Sequence, residues 1–231
     1  GPLETRWARM GNHAILSASS SHRWMNCPPS ARLTEHIADN GSVYAAEGSE
    51  AHALCEYKLR QLLGMDAENP LDCPGGLQYY DSTMEDAANG YAAFVMELLE
   101  EIRKTCSDPI VMVEQRLNFS RWVKDGFGTG DTVLVADGIL QVVDFKYGTG
   151  VPVSAEDNSQ MRLYALGALD MFGELYDVDS VKMTIYQPRL SNISTDAISK
   201  ADLLDWAENT LRPVAELAYK GEIPGVKKAS W

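Results

Sequence analysis

Residues 128–146 read Gly-Thr-Gly-Asp-Thr-Val-Leu-Val-Ala-Asp-Gly-Ile-Leu-Gln-Val-Val-Asp-Phe-Lys, and this stretch decides the fold. Thr132-Val133-Leu134-Val135-Ala136 is a short apolar strand. Asp137-Gly138 is a two-residue hairpin signal, because the tight turn needs positive φ and glycine supplies it. Ile139 to Phe145 is the returning strand. Strand side chains alternate, so Asp144 and Lys146 share one face and Phe145 points the other way, into the core. The hairpin also sets the Asp131 end of one strand beside the Asp144 end of the other. Two carboxylates 4 Å apart, at an effective dielectric near 20, repel by roughly 4 kcal/mol. A proton, a cation or a function must resolve that. Mg²⁺ or Mn²⁺ suits two carboxylates, since hard cations prefer oxygen ligands and keep several waters. A nitrogen from His52 would tilt the preference toward Mn²⁺.

Upstream of the hairpin, Ile110 to Phe119 is β-like. Downstream, Asn158 to Phe172 reads as a helix. Gln160 and Tyr164 sit four apart on it and share a face, suited to contacting a phosphate or nucleotide. Val181 to Tyr186 is another strand, closed by Pro188. Ser199-Lys200-Ala201-Asp202 resembles a capping box that opens a helix to about Tyr219. The first hundred residues are mostly helical. Residues 13–36 give a turn into a short helix, a Pro28-Pro29 break and a second helix capped by Ser30. Residues 43–63 form an amphipathic helix stopped by Gly64, with Glu47-Gly48 and His52 on it. After a Pro/Gly loop, residues 78–105 form a long helix. The expected fold class is α/β, a mixed sheet flanked by helices behind a helical N-terminal region. One domain covers 10–231. A helical part spans 10–107, the core 108–190 and a C-terminal helix 199–220. Residues 1–9 read as an expression-tag remnant, with the natural start at or near Met10.

Composition bounds the rest. Hydrophobic residues make up 45% of the 231, enough for a packed core. No apolar run approaches the roughly 20 residues that span a bilayer, so a soluble, membrane-free protein is expected. The formal net charge of −13 opposes nucleic-acid binding as a whole-surface sum. A local basic groove can coexist with it. Cys27, Cys55, Cys73 and Cys106 form no C-x-x-C pair and match no zinc spacing, so they read as reduced thiols. Gly126-Phe127-Gly128-Thr129-Gly130 precedes a strand and completes no dinucleotide fingerprint. Phosphate-loop, zinc-protease and nucleophile-elbow motifs are absent, which removes the usual supports for an ATPase, a zincin or an α/β-hydrolase. Trp24 and Trp206 read as packing. Trp122, between Arg121 and Lys124 in a polar loop, is the tryptophan considered for DNA contact.

Gly128-x-x-Asp131, Asp144-x-Lys146 and Gln160-x-x-x-Tyr164, preceded by the helical His52, together resemble the RecB-like and phage-exonuclease branch of the PD-(D/E)XK nucleases. Leu16-Ser17-Ala18-Ser19 to Cys27-Pro28, and Tyr186-Gln187-Pro188-Arg189, also look like this branch. From about Met10 the chain resembles the phage and prophage proteins grouped as DUF2800. The resemblance implies a restriction-endonuclease-like core and metal-dependent phosphodiester hydrolysis on DNA. It implies a cytoplasmic exonuclease on linear duplex in phage replication or recombination, with a single-strand annealing protein as partner and a homo-oligomeric ring as one arrangement. Asp131, Asp144, His52 and the Phe145 backbone carbonyl would hold Mg²⁺ or Mn²⁺, with Glu114 as an extra ligand. Lys146 would orient or deprotonate the attacking water, and Gln160 and Tyr164 would complete the catalytic set. Many such relatives carry an iron–sulfur cluster on one N-terminal and three C-terminal cysteines. Cys27 fits the first place, but no cysteine follows Cys106, so no cluster is expected in this chain.

Each residue also has an ordinary structural reading. Asp131 could cap a turn, Asp144 and Lys146 could be an edge-strand ion pair, and His52, Gln160 and Tyr164 could be packing or surface residues. A non-catalytic nucleic-acid-binding or assembly module on the same fold is the alternative function. A nuclease for flap ends or RNA is a third.

Overall fold

The computed structural model describes residues 14–35 and 43–222. The readings at residues 1–9 and Met10, and the ends of the 13–36 segment at His13 and His36, lie outside the described residues. In chain order the helices and strands are α1 (Ser21–Asn26), α2 (Ser30–Thr34), α3 (Val43–Leu62), α4 (Ser82–Arg103), β1 (Ile110–Asn118), β2 (Phe127–Ala136), β3 (Gly138–Phe145), α5 (Ser159–Phe172), β4 (Val178–Gln187), β5 (Asn192–Ser199), α6 (Lys200–Trp206) and α7 (Arg212–Lys220). The expected α/β class is observed: one five-stranded mixed sheet in the order β1-β2-β3-β4-β5, flanked by helices. Strands β3 and β4 run parallel, joined through α5, and the other neighbours are antiparallel.

The hairpin forms as its sequence dictates. Ala136 faces Ile139, so Asp137 and Gly138 make the turn, and Gly138, which also opens β3 against β4, takes φ +87°. The sheet then buries two cores, one on each face. Val142, Leu140 and Val133 pack with Met161, Leu163 and Leu166 of α5. Val143, Phe145 and Leu134 pack with Leu54 and Leu59 of α3 and with Tyr91, Val95 and Leu99 of α4. Helix α4 starts where Asp81 accepts from the Met84 amide at 2.8 Å, satisfying one orphan N–H of the first turn. Helix α3 ends before Gly64, which adopts φ +73°.

Several boundaries differ from expectation. β2 begins at Phe127, so the Gly-Thr-Gly stretch is strand rather than loop. Those glycines permit close packing: a Cβ on Gly128 would sit 3.1 Å from the Tyr164 ring, and one on Gly130 would sit 2.9 Å from Leu117 Cδ1. β5 is additional to the expected strands, because Asn192-Ile193-Ser194-Thr195-Asp196-Ala197-Ile198-Ser199 is too polar to read as apolar strand; it is an edge strand paired only to β4. The sheet thus runs to Ser199, past the expected core end at 190. The C-terminal helix, capped by Ser199 accepting from the Asp202 amide at 3.0 Å, is interrupted by a π-helical stretch at Ala207–Leu211. Pro213, which has no N–H to donate, follows closely. Ser30 is not a cap: Pro29 holds the N-cap position of α2, and the Ser30 hydroxyl is buried without a hydrogen-bond partner. Among the described residues no helix is long and apolar enough to cross a membrane.

Helix α5 rides close to β1 at Gly167. A Cβ there would lie 3.0 Å from Leu117 Cβ and 3.3 Å from the Asn118 backbone. Backbone cannot step aside as a flexible side chain can. Gly167→Val is therefore expected to destabilise the fold by about 1–3 kcal/mol, the range for overpacking a filled site. Urea unfolding measures it; an unchanged midpoint would show that α5 is free to lift.

Candidate active site at the ends of strands β2 and β3

The β2–β3 register pairs Thr132 with Val143, so Asp131 and Asp144 are the next positions out on neighbouring strands. β3 is the central strand, and Asp144 is 6% exposed, which excludes a surface ion pair on an edge. Asp144 lies on the α5 face of the sheet, in alternation with Leu140 and Val142. Phe145 turns to the other face, where its ring meets those of His52 at 5.2 Å and Tyr91 at 5.4 Å.

Asp131 uses both carboxylate oxygens. Oδ1 lies 3.1 Å from His52 Nδ1 on α3, and Oδ2 accepts from the Phe145 amide at 2.7 Å. Lys146 N–H donates to Tyr186 O of β4. One residue earlier, Phe145 directs its N–H and C=O away from β4, toward the Asp131 side. The carbonyl predicted as a ligand therefore faces the right strand.

Lys146 Nζ lies 3.0 Å from Asp144 Oδ2 and donates to Gln160 Oε1 at 3.1 Å. Gln160 Nε2 in turn donates to the Tyr164 hydroxyl at 3.3 Å. The shared helical face of Gln160 and Tyr164 thus looks into the site. Asp144 Oδ2 is buried and, although at ion-pair distance from Lys146, makes no hydrogen bond of normal geometry. These residues line an open cleft of about 510 Å³.

The charges are strongly interdependent. Burial, then the Asp131 charge, push the Asp144 carboxyl up to about 6, against the pull of Lys146. Burial also opposes ionisation of Asp131, but the His52 charge and hydrogen bond and the Phe145 amide outweigh it and lower its pKa. Burial acts to lower His52, and Asp131, Asp144 and Glu114 overcome it, raising the imidazole to about 9. Burial lifts the Tyr164 phenol, aided by Asp144.

Glu114 stands apart from the cleft. It lines a second, much smaller pocket of about 10 Å³ behind the His52–Asp131 pair, with Cys55, Glu56 and Tyr91. Loss of water around its carboxyl, then Glu56 and Asp131, push it up to about 7. Among the described residues no three His, Cys, Asp or Glu side chains converge as a metal-ligand cluster. The donor set at the cleft still fits a hard cation that keeps its own waters: two adjacent carboxylates, a backbone carbonyl, and one buried carboxylate oxygen answered only by Lys146 at 3.0 Å.

Several contributors were not legible in the sequence. The loop after Lys146 forms one wall of the cleft through Gly148, Gly150, Val151 and Val153. Gln187 holds it, accepting from the Val153 amide at 3.0 Å and donating to Val151 O at 3.1 Å. The sequence signal was the polar Gln187 inside the Tyr186-Gln187-Pro188-Arg189 segment, and that glutamine is 3% exposed. Arg189 pairs with Glu47 at 2.6 Å and lies over the Tyr147 ring at 4.8 Å, linking the end of β4 to α3 beside the cleft. The DNA-contact reading of Trp122 is corrected: it is 4% exposed, its indole N–H donates to Glu208 at 3.1 Å, and it packs in the α5-side core. All four cysteines are free, with Cys27 exposed and Cys55 and Cys106 buried.

A family model described as "Protein of unknown function (DUF2800)" matches residues 13–227. A solved structure titled "Crystal structure of SSO0001" aligns over 82% of this chain and 84% of that chain, at 13% identity and a TM-score of 0.25. A segment covering 21% of this chain is 41% identical, over 56 residues, to the small ribosomal subunit protein uS14 of Lachnospira eligens, spanning 92% of that protein. This match leaves about four fifths of the chain uncovered.

The Asp144 pKa fixes a stability test. Because the folded state holds this proton more tightly than the unfolded chain, the stability it contributes is full below about pH 4 and is lost as pH rises through about 6. Asp144→Asn removes the penalised charge. In metal-free buffer at pH 8 it should stabilise the protein by on the order of 2 kcal/mol, with the gain vanishing near pH 4. Denaturant titrations at the two pH values decide it, and a destabilised variant at pH 8 would contradict a raised Asp144 pKa.

Proposed function

The chain belongs to the DUF2800 family, and from its cleft we propose that it is a metal-dependent deoxyribonuclease of the PD-(D/E)XK type, acting on the ends of linear duplex DNA. The carrying observation is the convergence of Asp131 and Asp144 at the ends of adjacent strands, with Lys146 beside them and the Gln160–Tyr164 face opposite. The order of these residues, and the mixed sheet that presents them, support the restriction-endonuclease-like reading.

Asp131, Asp144 and the Phe145 carbonyl would hold Mg²⁺ or Mn²⁺. His52 would join them on losing its proton and its bond to Asp131. Glu114, behind that pair, is left out of the set. The ion, when bound, polarises a phosphoryl oxygen and lowers the pKa of a water. The chain's own groups do the remainder. Lys146, steered by Gln160, donates to the attacking water or to a non-bridging phosphate oxygen, where negative charge grows. Asp144 would accept a proton from the water as its oxygen bonds to phosphorus and the P–O ester bond on the far side breaks; the departing oxygen would take a proton from solvent, and Asp144 would return its own to solvent. Tyr164 fixes the Gln160 amide, so Lys146 stays aimed. The loop braced by Gln187 shields one side of the cleft.

A second reading is a nucleic-acid-binding or assembly module without turnover, and the formal charge of −13 favours its assembly form. End-labelled linear duplex DNA with Mg²⁺, Mn²⁺ or EDTA separates the two, with single-stranded, flapped and RNA substrates alongside. Metal-dependent cleavage is expected, falling at least about 100-fold in Asp144→Ala and Lys146→Ala, as for loss of one transition-state contact. Divalent binding without cleavage of any substrate would establish the module instead.

A further inference from the structure

The sheet turns over at one residue pair. Ahead of Glu114, Val113 of β1 and its partner Thr132 of β2 face α3 and α4; Val113 belongs to that core, and Thr132 Oγ1 bonds the Tyr91 hydroxyl at 2.6 Å. Two residues on, regular alternation would keep the Gln115–Gly130 pair on the same face. It does not. A Cβ on Gly130 would meet Leu117 and Val133, which belong to the α5-side core. Leu117, four residues after Val113, is likewise on the opposite face from it. The registers before and after are in step, yet the Glu114–Asp131 pairing between them is missing. Glu114 adopts φ +54°, a left-handed conformation uncommon for a residue with a side chain and foreign to a strand. Arg60 bonds the carbonyl just before it, Nη2 to Val113 O at 3.1 Å, and is itself held by Glu56 at 3.0 Å.

We infer that Glu114 is a positioning residue, and that its left-handed backbone, braced by Arg60, turns Asp131 edge-on between the two faces of the sheet. In a regular strand Asp131 would follow Val133 and Val135 toward α5 and lose His52. Turned over, it lies in the plane of the sheet. There it reaches His52 on one face, neighbours Asp144 on the other, and takes the Phe145 amide that a continuing β2–β3 ladder would have bonded. Irregularities of this kind recur beside active sites, where they re-aim a side chain. The device is the backbone conformation and not the carboxylate. Substitutions should therefore rank by tolerance of positive φ and not by charge.

This inference rests on the nuclease reading only for its activity arm. The variants are Glu114→Gly, Glu114→Asn, Glu114→Ala and Glu114→Val, in the full chain. Glycine and asparagine adopt the left-handed region readily, alanine less so, and β-branched valine least. Three readouts are compared: kcat and KM on linear duplex with Mn²⁺, the Kd for Mn²⁺ alone, and the His52 imidazole ¹⁵N signals at one fixed pH without metal. Glu114→Gly is expected within about threefold of the parent in kcat and Mn²⁺ affinity, with unchanged His52 signals. Glu114→Val is expected to lose at least tenfold in kcat with little change in KM, to bind Mn²⁺ more weakly, and to shift His52. If the valine variant fails to fold, alanine against asparagine carries the same comparison. Equal damage in glycine and valine would overturn the inference in favour of the carboxylate, and parent-like behaviour of valine would overturn it outright. A parent protein that cleaves nothing would sink the nuclease reading, while the His52 signals would still decide this one.

Discussion

Two carboxylates forced side by side, Asp131 and Asp144, are the constraint on which the rest of the site depends. The β2–β3 hairpin makes them neighbours, and the central place of β3 removes the water that would screen them. Each is answered by one cationic partner from a different element: His52 of α3 for Asp131, and Lys146, two residues beyond Asp144, for the other. The compensation is unequal. Asp131 gains a hydrogen bond on each oxygen and stays ionised, whereas Asp144 keeps an oxygen with no hydrogen bond and a pKa of about 6. Environments that drive two like groups apart in this way give them different chemical roles.

That asymmetry organises the surrounding structure. Helix α3 must pack against the sheet at a height that offers His52 to Asp131, and the edge contact of His52 with Phe145 fixes the imidazole. Helix α5 must begin close enough to β3 for Gln160 to reach Lys146, and the Asn158 cap, accepting from the Met161 amide at 3.1 Å, sets where it starts. Gly128 and Gly167 let that helix and its Tyr164 ring approach β1 and β2 without clash. The two faces of the sheet thus each deliver half of the charge compensation, and Asp131 bridges the two halves.

The hairpin, the adjacency of Asp131 and Asp144 and the common face of Gln160 and Tyr164 were legible in sequence, because turn chemistry and strand and helix periods are local rules. His52 entered through resemblance; nothing in an amphipathic helix says which polar residue meets a strand end. β5 was hidden by its polar composition, since an edge strand with one exposed face needs few apolar residues. The turnover at Glu114 had no local signal either. A glutamate in a run of Ile110 to Phe119 predicts plain strand, and the Arg60 bond to the Val113 carbonyl beside it is a tertiary contact. What sequence missed is, in each case, what tertiary packing imposes against local preference.

The acidic balance of the chain bears on how the proposed reaction could meet a polyanion. Many of the basic side chains are already committed: Arg32 to Glu35, Lys58 to Glu85, Arg60 to Glu56, Arg121 to Asp170, Arg162 to Asp157 and Arg212 to Glu208. Such pairs present little net field to a distant phosphate. Affinity from counterion release, which scales with the number of phosphates neutralised, is then modest. At the cleft the arrangement differs. Lys146 and Arg189 are paired as well, to Asp144 and Glu47, but Lys146 is only 24% exposed, so charge there acts in a partly desolvated space where it is worth more than on the open surface. A bound divalent ion would add the largest positive charge of the site. Under the proposed reading, capture of DNA and assembly of the reactive centre are therefore one event. On that reading the acidic exterior would leave the duplex loosely held until the ion and the scissile phosphate arrive together.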